Sequence, residues 1–360
     1  MKVLIDIGHP AHVHLFINFA HKMQNRSHQV QFTCRNREFV LDLLEQNGLE
    51  YKSFGNNFST PLGKIVGLFL FTWKMWRVCR RFKPDILLSH SSMYAAFAAF
   101  LVKKPHISFE DTFNFEQIRL YKPFTKTILT GTYPHQLKSR KVIPYNGYHE
   151  LAYLYPLWFC PDVQVLEDLG IAENQPYIIM RFVSWSASHD IGHHGMTLKN
   201  KIEAVIAFSD HAKVFISSEL PLPSELEPYR FPLPPGLMHH AMAFASLIFG
   251  ESATMVSEGA MLGIPGIYLD NTGRLYTREL QEKYGMVFNY SESPEDQLKA
   301  IQKGVELLTT PNIKEQWQLK RQKMLREKID VTAFLVWFIE NYPGSVQVMK
   351  DNPEYQWRFR

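Results

Sequence analysis

The chain has 360 residues, of which 46% are hydrophobic and 21% charged, with a formal net charge of +4. That length exceeds one ordinary core and predicts two domains, and the composition excludes a disordered chain. So small a charge, with no recognition motif for nucleic acid, excludes a nucleic-acid reader, and the scattered Cys34, Cys79 and Cys160 lack metal-ligand spacing and predict reduced thiols of a cytoplasmic protein.

The start, MKVLIDIGHP, holds a strand-length apolar run without the long apolar segment and cleavage site of a leader. No run approaches the ~20 apolar residues of a membrane span. KVLIDIG predicts a strand, and a helical pattern follows from His14 to about Asn25. QVQFTC reads as a strand, REFVLDLLEQNG as a helix closed by Gly48, and PDILLS, HISFED and KTILTG as further strands. This alternation predicts a parallel sheet with helices on both faces. Ligands bind such sheets at the carboxyl ends of strands, so the loops after Ile7, Ser89, Phe109 and Thr130 are where a site is expected.

Aromatic residues, Pro and Gly crowd the stretch from Tyr145 to Pro161, and a helix at 162–168 restarts the pattern. YIIMRFV, KVFISS, SLIFG and GIYLD follow as strands with helices between them. The fold class is therefore α/β, with two Rossmann-type doubly wound domains facing across a cleft. The expected boundaries are 1–155 and 156–330, with a C-terminal helix and tail at 331–360 whose apolar TAFLVWFIENY is suited to pack back on the first domain.

Within the second set, FGESATMVSEGAMLGIPGIYLD, Phe249 to Asp270, has an arrangement that a plain core does not need. ASLIFG predicts a buried strand, ESATM a turn, and VSEGAMLG a helix that ends at its Gly. Backbone amides at a helix N-terminus, beside small side chains, form a site for phosphate. Glu258 lies one turn beyond Thr254 on the same helix face, where a carboxylate can accept both hydroxyls of a ribose. The same residues also fit a capped helix between two strands, with Ser252 or Thr254 as the N-cap and Glu258 solvated.

This stretch resembles the donor-binding motif of GT-B glycosyltransferases and of the related non-hydrolysing UDP-N-acetylglucosamine 2-epimerases. Together with DIGHPAHVHLF and RFVSWSASHD, it makes nearly the whole chain similar to a family of glycosyltransferase-like proteins known only as a domain of unknown function. The resemblance implies a GT-B fold whose first domain takes the acceptor and whose second takes the nucleotide-sugar donor. It implies that Ser252, Ala253, Thr254 and Met255 line the diphosphate and that Glu258 holds the ribose. The turn here reads GESAT, where relatives carry a second small residue or Gly, so Glu251 must turn its side chain away from a diphosphate.

GHPAHVHLF brings His9, His12 and His14 to the end of the first strand. The loop resembles the Gly-Gly-His turn of peptidoglycan-type transferases, with His12 the best match and His14 beside it. An imidazole there is a candidate general base for an acceptor hydroxyl. A metal cluster is the rival, but no acid or Cys is adjacent in sequence and no metal is expected. FEDTFNFEQIRL places Glu110, Asp111 and Glu116 after a strand, where the epimerases carry an acidic, helix-opening segment. Asp111 and Glu116 are candidate catalytic acids there, and they equally fit a helix cap and a surface charge.

MRFVSWSASHDIGHHG follows the strand YIIM, a position that usually contacts donor phosphates in GT-B folds. Arg181 can neutralise a diphosphate, and Trp185, His189 and Asp190 can line the donor site. Ser217 to Leu220, SSEL, is a weaker candidate for the same lining. After GIYLD, Asn271, Thr272 and Arg274 either contact the donor sugar, as in relatives, or form an ordinary turn into a helix at 274–284.

Between Pro61 and Pro84 stand six Lys or Arg and no acid, interleaved with Phe and Trp. This suits a helix in peripheral contact with an anionic membrane at its inner, cytoplasmic face, or docking a lipid-linked acceptor; a core helix with a solvated charged end fits as well. The expected activity is metal-independent, cofactor-free transfer of a sugar from a nucleotide diphosphate donor, UDP-linked, to a cell-surface polysaccharide or glycolipid. The alternatives are a nucleotide-sugar 2-epimerase using Glu110, Asp111, Glu116 and His189, and a non-catalytic nucleotide-sugar-binding protein.

Overall fold

A computed structural model describes residues 1–37, 39–58, 60–172, 175–183 and 194–360. The chain divides into two compact units, Met1–Trp158 with Lys328–Arg360, and Phe159–Glu327.

The first unit holds strands β1 (Lys2–Ile7), β2 (Gln29–Asn36), β3 (Tyr51–Asn56), β4 (Ile86–His90), β5 (His106–Glu110), β6 (Thr127–Gly131) and β7 (Val142–Tyr145). They form one parallel sheet in the order β3-β2-β1-β4-β5-β6-β7. Its helices are α1 (Pro10–Asn25), α2 (Val40–Gln46), α3 (Pro61–Phe82), α4 (Met93–Leu101), α5 (Phe115–Tyr121) and α6 (Leu151–Leu154). The strand order reverses at β1, which pairs β2 on one side and β4 on the other. At such a switch point the crossover helices leave to opposite faces and open a crevice beyond the carboxyl ends of the strands.

The second unit holds α7 (Gln164–Asp168), β8 (Tyr177–Phe182), α8 (Leu198–Ser209), β9 (Lys213–Ser218), α9 (Met238–Phe244), β10 (Leu247–Gly250), α10 (Ala253–Leu262), β11 (Gly266–Leu269), α11 (Leu275–Glu282), β12 (Val287–Tyr290), α12 (Pro294–Thr309) and α13 (Ile313–Arg326). Its parallel sheet runs β12-β11-β10-β8-β9, and the order reverses between β10 and β8. β8 is buried at five of its six positions, all but Arg181, which is why YIIM reads as a continuous apolar run. The chain then returns to the first unit through α14 (Val331–Glu340) and α15 (Gly344–Asp351). The apolar α14 packs against α1 and α6 there.

The expected strands are all present, and three more appear: β3, β7 and β12. Each is an edge of its sheet. The helix expected at 162–168 begins at Gln164, and the one expected at 274–284 runs Leu275–Glu282. Among the described residues no helix is long and apolar enough to cross a membrane.

Candidate functional site

In the first unit, chemistry collects at the carboxyl ends of β1, β4 and β5. Beyond β1, the His9 ring accepts the Ala11 N–H at 3.2 Å and caps α1, with Pro10 in the first turn where no N–H is needed. The helix then presents His12 and His14 on different faces, since they are two residues apart. His12 stacks on His90 with ring centroids 4.5 Å apart, whereas His14 stands against Tyr153 at 5.3 Å. The structure therefore brings His12, and not His14, to the cluster that follows.

Asp111 lies just past β5. One of its oxygens meets His90 Nε2 at 2.9 Å and the other meets His149 Nδ1 at 3.1 Å. Burial pushes the Asp111 carboxyl up, but the charges and hydrogen bonds of His90 and His149 outweigh it and hold the group well below its ordinary value. The carboxylate is thus ionised and both ring nitrogens donate to it. For His90, burial pulls the pKa down, yet the Asp111 charge and hydrogen bond leave it raised. His12 is lowered well below its ordinary value, first by burial and then by His90 and His9. Its Nδ1 accepts the Gly8 N–H at 3.3 Å, so the neutral ring carries its proton on Nε2 and presents a donor.

The ligating atoms of His90, Asp111 and His149 lie within 4.8 Å of one another, so among the described residues these three form the group able to hold a metal ion. The histidine loop did find an acidic neighbour, through the pairing of β4 with β5 and not through adjacency in sequence. As bonded here, each Asp111 oxygen already accepts one imidazole N–H, an arrangement suited to moving a proton.

The neighbouring Glu110 has another task. Its Oε1 accepts from the Thr112 N–H, the Thr112 hydroxyl and the Phe113 N–H, and its Oε2 from the Ser91 and Tyr121 hydroxyls. Five donors on a carboxylate that is 1% exposed make it a structural anchor of the β5–α5 turn. Glu116 sits in the first turn of α5 and is exposed. Below the cluster, buried Asp6 receives both contacts of Arg35 Nη1 at 2.8 and 2.9 Å and the Ser92 hydroxyl, fixing the ends of β1 and β2 and the start of α4.

In the second unit the corresponding place is the turn from β10 into α10. Gly250, with φ 141°, runs so close to β8 that a Cβ would lie 2.1 Å from the Arg181 carbonyl oxygen. Only glycine fits there. Ser252 is the N-cap, accepting the Met255 N–H, and the amides of Ala253 and Thr254 open the helix without intrahelical acceptors. Ser252 and Thr254 are half-buried, while Ala253 and Met255 are buried. Gly259 lets α10 lie on β10, since a Cβ there would meet Ile248 Cγ1 at 2.8 Å.

Two acids near this turn behave differently. Glu251 turns away from the helix start, as the motif requires. Its oxygens accept the Val183 and Met196 N–H groups and pair with Lys201 at 3.3 Å. Glu258 is buried, at 4% exposure, and pairs with His239 Nε2 of α9 at 2.9 Å, so it is not a solvated helix residue. Arg181 ends up held by the Ser217 hydroxyl and Glu219, which gives the SSEL segment a defined role. Asn271 exchanges two hydrogen bonds with Glu292, and Arg274 folds back on Thr272 and the Gly273 carbonyl at the start of α11. Trp185, His189 and Asp190 lie outside the described residues.

His90 and His149 were not singled out in the sequence. His90 is the last residue of β4, directly after Ser89, where the sequence places one of the expected site loops, so the signal is present. His149 follows β7, whose edge position hid it in what read as a break between domains.

The family profile described as "Protein of unknown function (DUF354)" matches residues 1–275. The chain belongs to the DUF354 family. No curated protein matches this DUF354 chain. Among solved structures, a putative UDP-N-acetylglucosamine 2-epimerase from Listeria monocytogenes is similar at 14% identity and TM-score 0.70, covering 95% of this chain and 96% of that one. The UDP-GlcNAc 2-epimerase from Neisseria meningitidis, solved with UDP-GlcNAc, has 16% identity and TM-score 0.68 over 99% and 100% of the two chains. The spinosyn rhamnosyltransferase SpnG, solved with spinosyn aglycone, has 12% identity and TM-score 0.59 over 95% and 100%. The DUF354 chain therefore has the GT-B fold shared by these glycosyltransferases and epimerases.

Proposed function

We propose that this protein transfers a sugar from a nucleoside diphosphate sugar, UDP-linked, to a hydroxyl of a cell-surface glycan or glycolipid acceptor. Support for the donor comes from the small-residue turn into α10, its buried Glu258, and neighbours of the same fold solved with UDP-GlcNAc, UDP and dTDP. In this reading the amides of Ala253 and Thr254 face the diphosphate and Glu258 takes the ribose hydroxyls, alongside its bond to His239. Arg181, on β8, would have to exchange its pairing with Glu219 for the diphosphate, and Asn271 and Arg274 stand by the sugar.

The observation that carries transfer over epimerisation is the state of the acids in the first unit. Epimerisation at C2 through elimination needs free acids to remove and return a proton. Glu110 is filled by five donors and Asp111 holds two imidazoles. The third candidate, Glu116, is a solvent-exposed residue of the first turn of α5 with none of the burial that tunes a carbon acid's base. An Asp–His pair suits a different task, the removal of a proton from a hydroxyl. The role of base expected for His12 moves to His90, because the Gly8 N–H occupies the basic nitrogen of His12. Asp111 orients the His90 ring and stabilises its charge, and His90 Nδ1 takes the acceptor proton. His12 Nε2–H donates a hydrogen bond to the acceptor. The acceptor oxygen bonds to the anomeric carbon as the bond from that carbon to the phosphate oxygen breaks. The nucleoside diphosphate leaves with its negative charge met by the α10 amides. The scheme requires no metal and no further cofactor.

The test is incubation with UDP-GlcNAc and other nucleoside diphosphate sugars in deuterated water, with and without glycolipid acceptors. Transfer predicts nucleoside diphosphate release that depends on acceptor, with no deuterium at C2 of the sugar. Deuterium at C2 without any acceptor would make the protein an epimerase.

A further inference from the structure

Helix α3 is apolar on two faces. One face, with Phe71, Met75 and Cys79, packs on Leu4, Phe54, Leu87, Ala95, Ala98 and Ala99. That face satisfies what the fold needs of an amphipathic helix. The other face carries Leu62, Ile65, Val66, Phe69 and Trp73, at helical spacing, and these are 78, 57, 58, 72 and 49% exposed. Five large apolar side chains on one exposed stripe exceed the scattered apolar residues of an ordinary surface. Beside them lie Phe100 and Leu101 at the end of α4, also exposed, and between the two helices runs an apolar groove of about 310 Å³ lined by Phe69, Trp73, Trp76, Phe97 and Leu101.

The charge on this helix is one-sided. Lys64, Lys74, Arg77, Arg80 and Arg81 lie within it and Lys83 caps it, with no acid from 61 to 84. Following the exposed stripe toward the C-terminus, the apolar side chains give way to Arg77 and Arg80. Arg77 lies over the Trp73 ring at 4.8 Å and Arg80 over the Trp76 ring at 5.9 Å. Aromatic rings covered by guanidinium groups, next to an uncovered apolar stripe, match the boundary between acyl chains and anionic headgroups. The helix itself is not apolar enough to cross a bilayer.

We propose that the exposed face of α3, with the groove it forms against α4, docks the first unit on an anionic lipid bilayer. Leu62, Ile65, Val66, Phe69 and Trp73 enter the acyl boundary, and Arg77, Arg80 and Arg81 meet the headgroup phosphates. This placement stands apart from the donor reading, since it involves neither α10 nor the histidine cluster.

The test is co-sedimentation of the full chain with vesicles of phosphatidylcholine alone and of phosphatidylcholine mixed with phosphatidylglycerol. The mixed vesicles should capture the protein, added salt should release it, and neutral vesicles should leave it in solution. Phe69→Glu with Trp73→Glu, and separately Arg77→Glu with Arg80→Glu and Arg81→Glu, should each weaken capture by about tenfold or more. All these side chains are at the surface, and circular dichroism checks that the variants keep the fold. UDP binding, measured on the same variants, separates this outcome from that of the donor reading. Absence of capture by the mixed vesicles, or equal capture of wild type and both variants, would overturn the proposal. So would a concentration-dependent dimer that Phe69→Glu with Trp73→Glu dissolves, without vesicle capture, because the face would then belong to a second copy of the chain.

Discussion

Asp111 receives the ring N–H of His90 at 2.9 Å, and this bond sets the proton affinity of the first unit's cluster. The raised pKa of His90 depends on that carboxylate. As a base, His90 works in its neutral form, so turnover should rise with pH through a value above 6.5, its ordinary pKa. In Asp111→Asn the largest influences holding the ring's pKa up are gone, leaving burial opposed only by the Glu110 charge and a backbone hydrogen bond, so the acidic limb of the pH–rate profile should move to lower pH. Turnover at the optimum should fall by about 10²–10⁴-fold while nucleotide binding stays. A limb that does not move would remove His90 from the role of base.

His106 gives a pH dependence of stability, not of activity. It is fully buried between the Ser89 and Thr125 hydroxyls, and burial lowers its pKa to about 3. The folded state keeps it neutral while the unfolded chain binds a proton below about 6.5. Its contribution is therefore fully present above pH 6.5 and is lost as pH falls toward 3. The slope reaches about 1.4 kcal/mol per pH unit. Denaturant unfolding of wild type and His106→Gln across that range should show a steeper loss of stability in wild type, the difference in slope being the His106 contribution beside those of His12 and Asp111.

Glu110 is expected to matter for folding. Glu110→Ala leaves the Tyr121 hydroxyl and the Phe113 N–H without their acceptor, while the Ser91 hydroxyl keeps the Phe109 carbonyl. Each donor left buried and unpaired costs about 1–3 kcal/mol. Thermal unfolding should show a large loss, and Tyr121→Phe, which removes one donor, a much smaller one.

Gly250 is held by geometry. A Cβ would meet the Arg181 carbonyl oxygen at 2.1 Å, against backbone that cannot swing aside, and φ is 141°. Gly250→Ala should cost about 1–3 kcal/mol or more in denaturant unfolding and weaken nucleotide binding by displacing the start of α10. Unchanged stability would mean that β8 and β10 can separate locally.

Much of this fold was legible because the strands next to the switch points are buried on both faces, and β8 opens with the apolar run YIIM. The three strands that were missed are edges. β3 and β12 are half-exposed along most of their length, and β7 contains Pro144, which an edge tolerates and a sequence pattern rejects. The site followed the same division. His12, Asp111 and the α10 turn were legible from their places at strand ends. The partners His90 and His149 come together only through strand order, since β4 lies beside β5 and the chain after β7 folds back to them. No spacing in sequence encodes that. The turn of Glu251 away from α10 was a requirement of the motif, and the Lys201 ammonium and two backbone amides explain how it is met.

The central claim is that the second unit binds a nucleoside diphosphate at the start of α10 with Glu258 on the ribose. Calorimetric titration of UDP into wild type, Glu258→Gln and Asp111→Asn tests it most directly. Losing a hydrogen bond to a charged group costs about 1.5–3 kcal/mol, roughly ten- to hundredfold in Kd. The account predicts binding by wild type, binding weakened by that factor in Glu258→Gln, and unchanged binding in Asp111→Asn. No binding of UDP or of any other nucleoside diphosphate, or equal binding by wild type and Glu258→Gln, would contradict it.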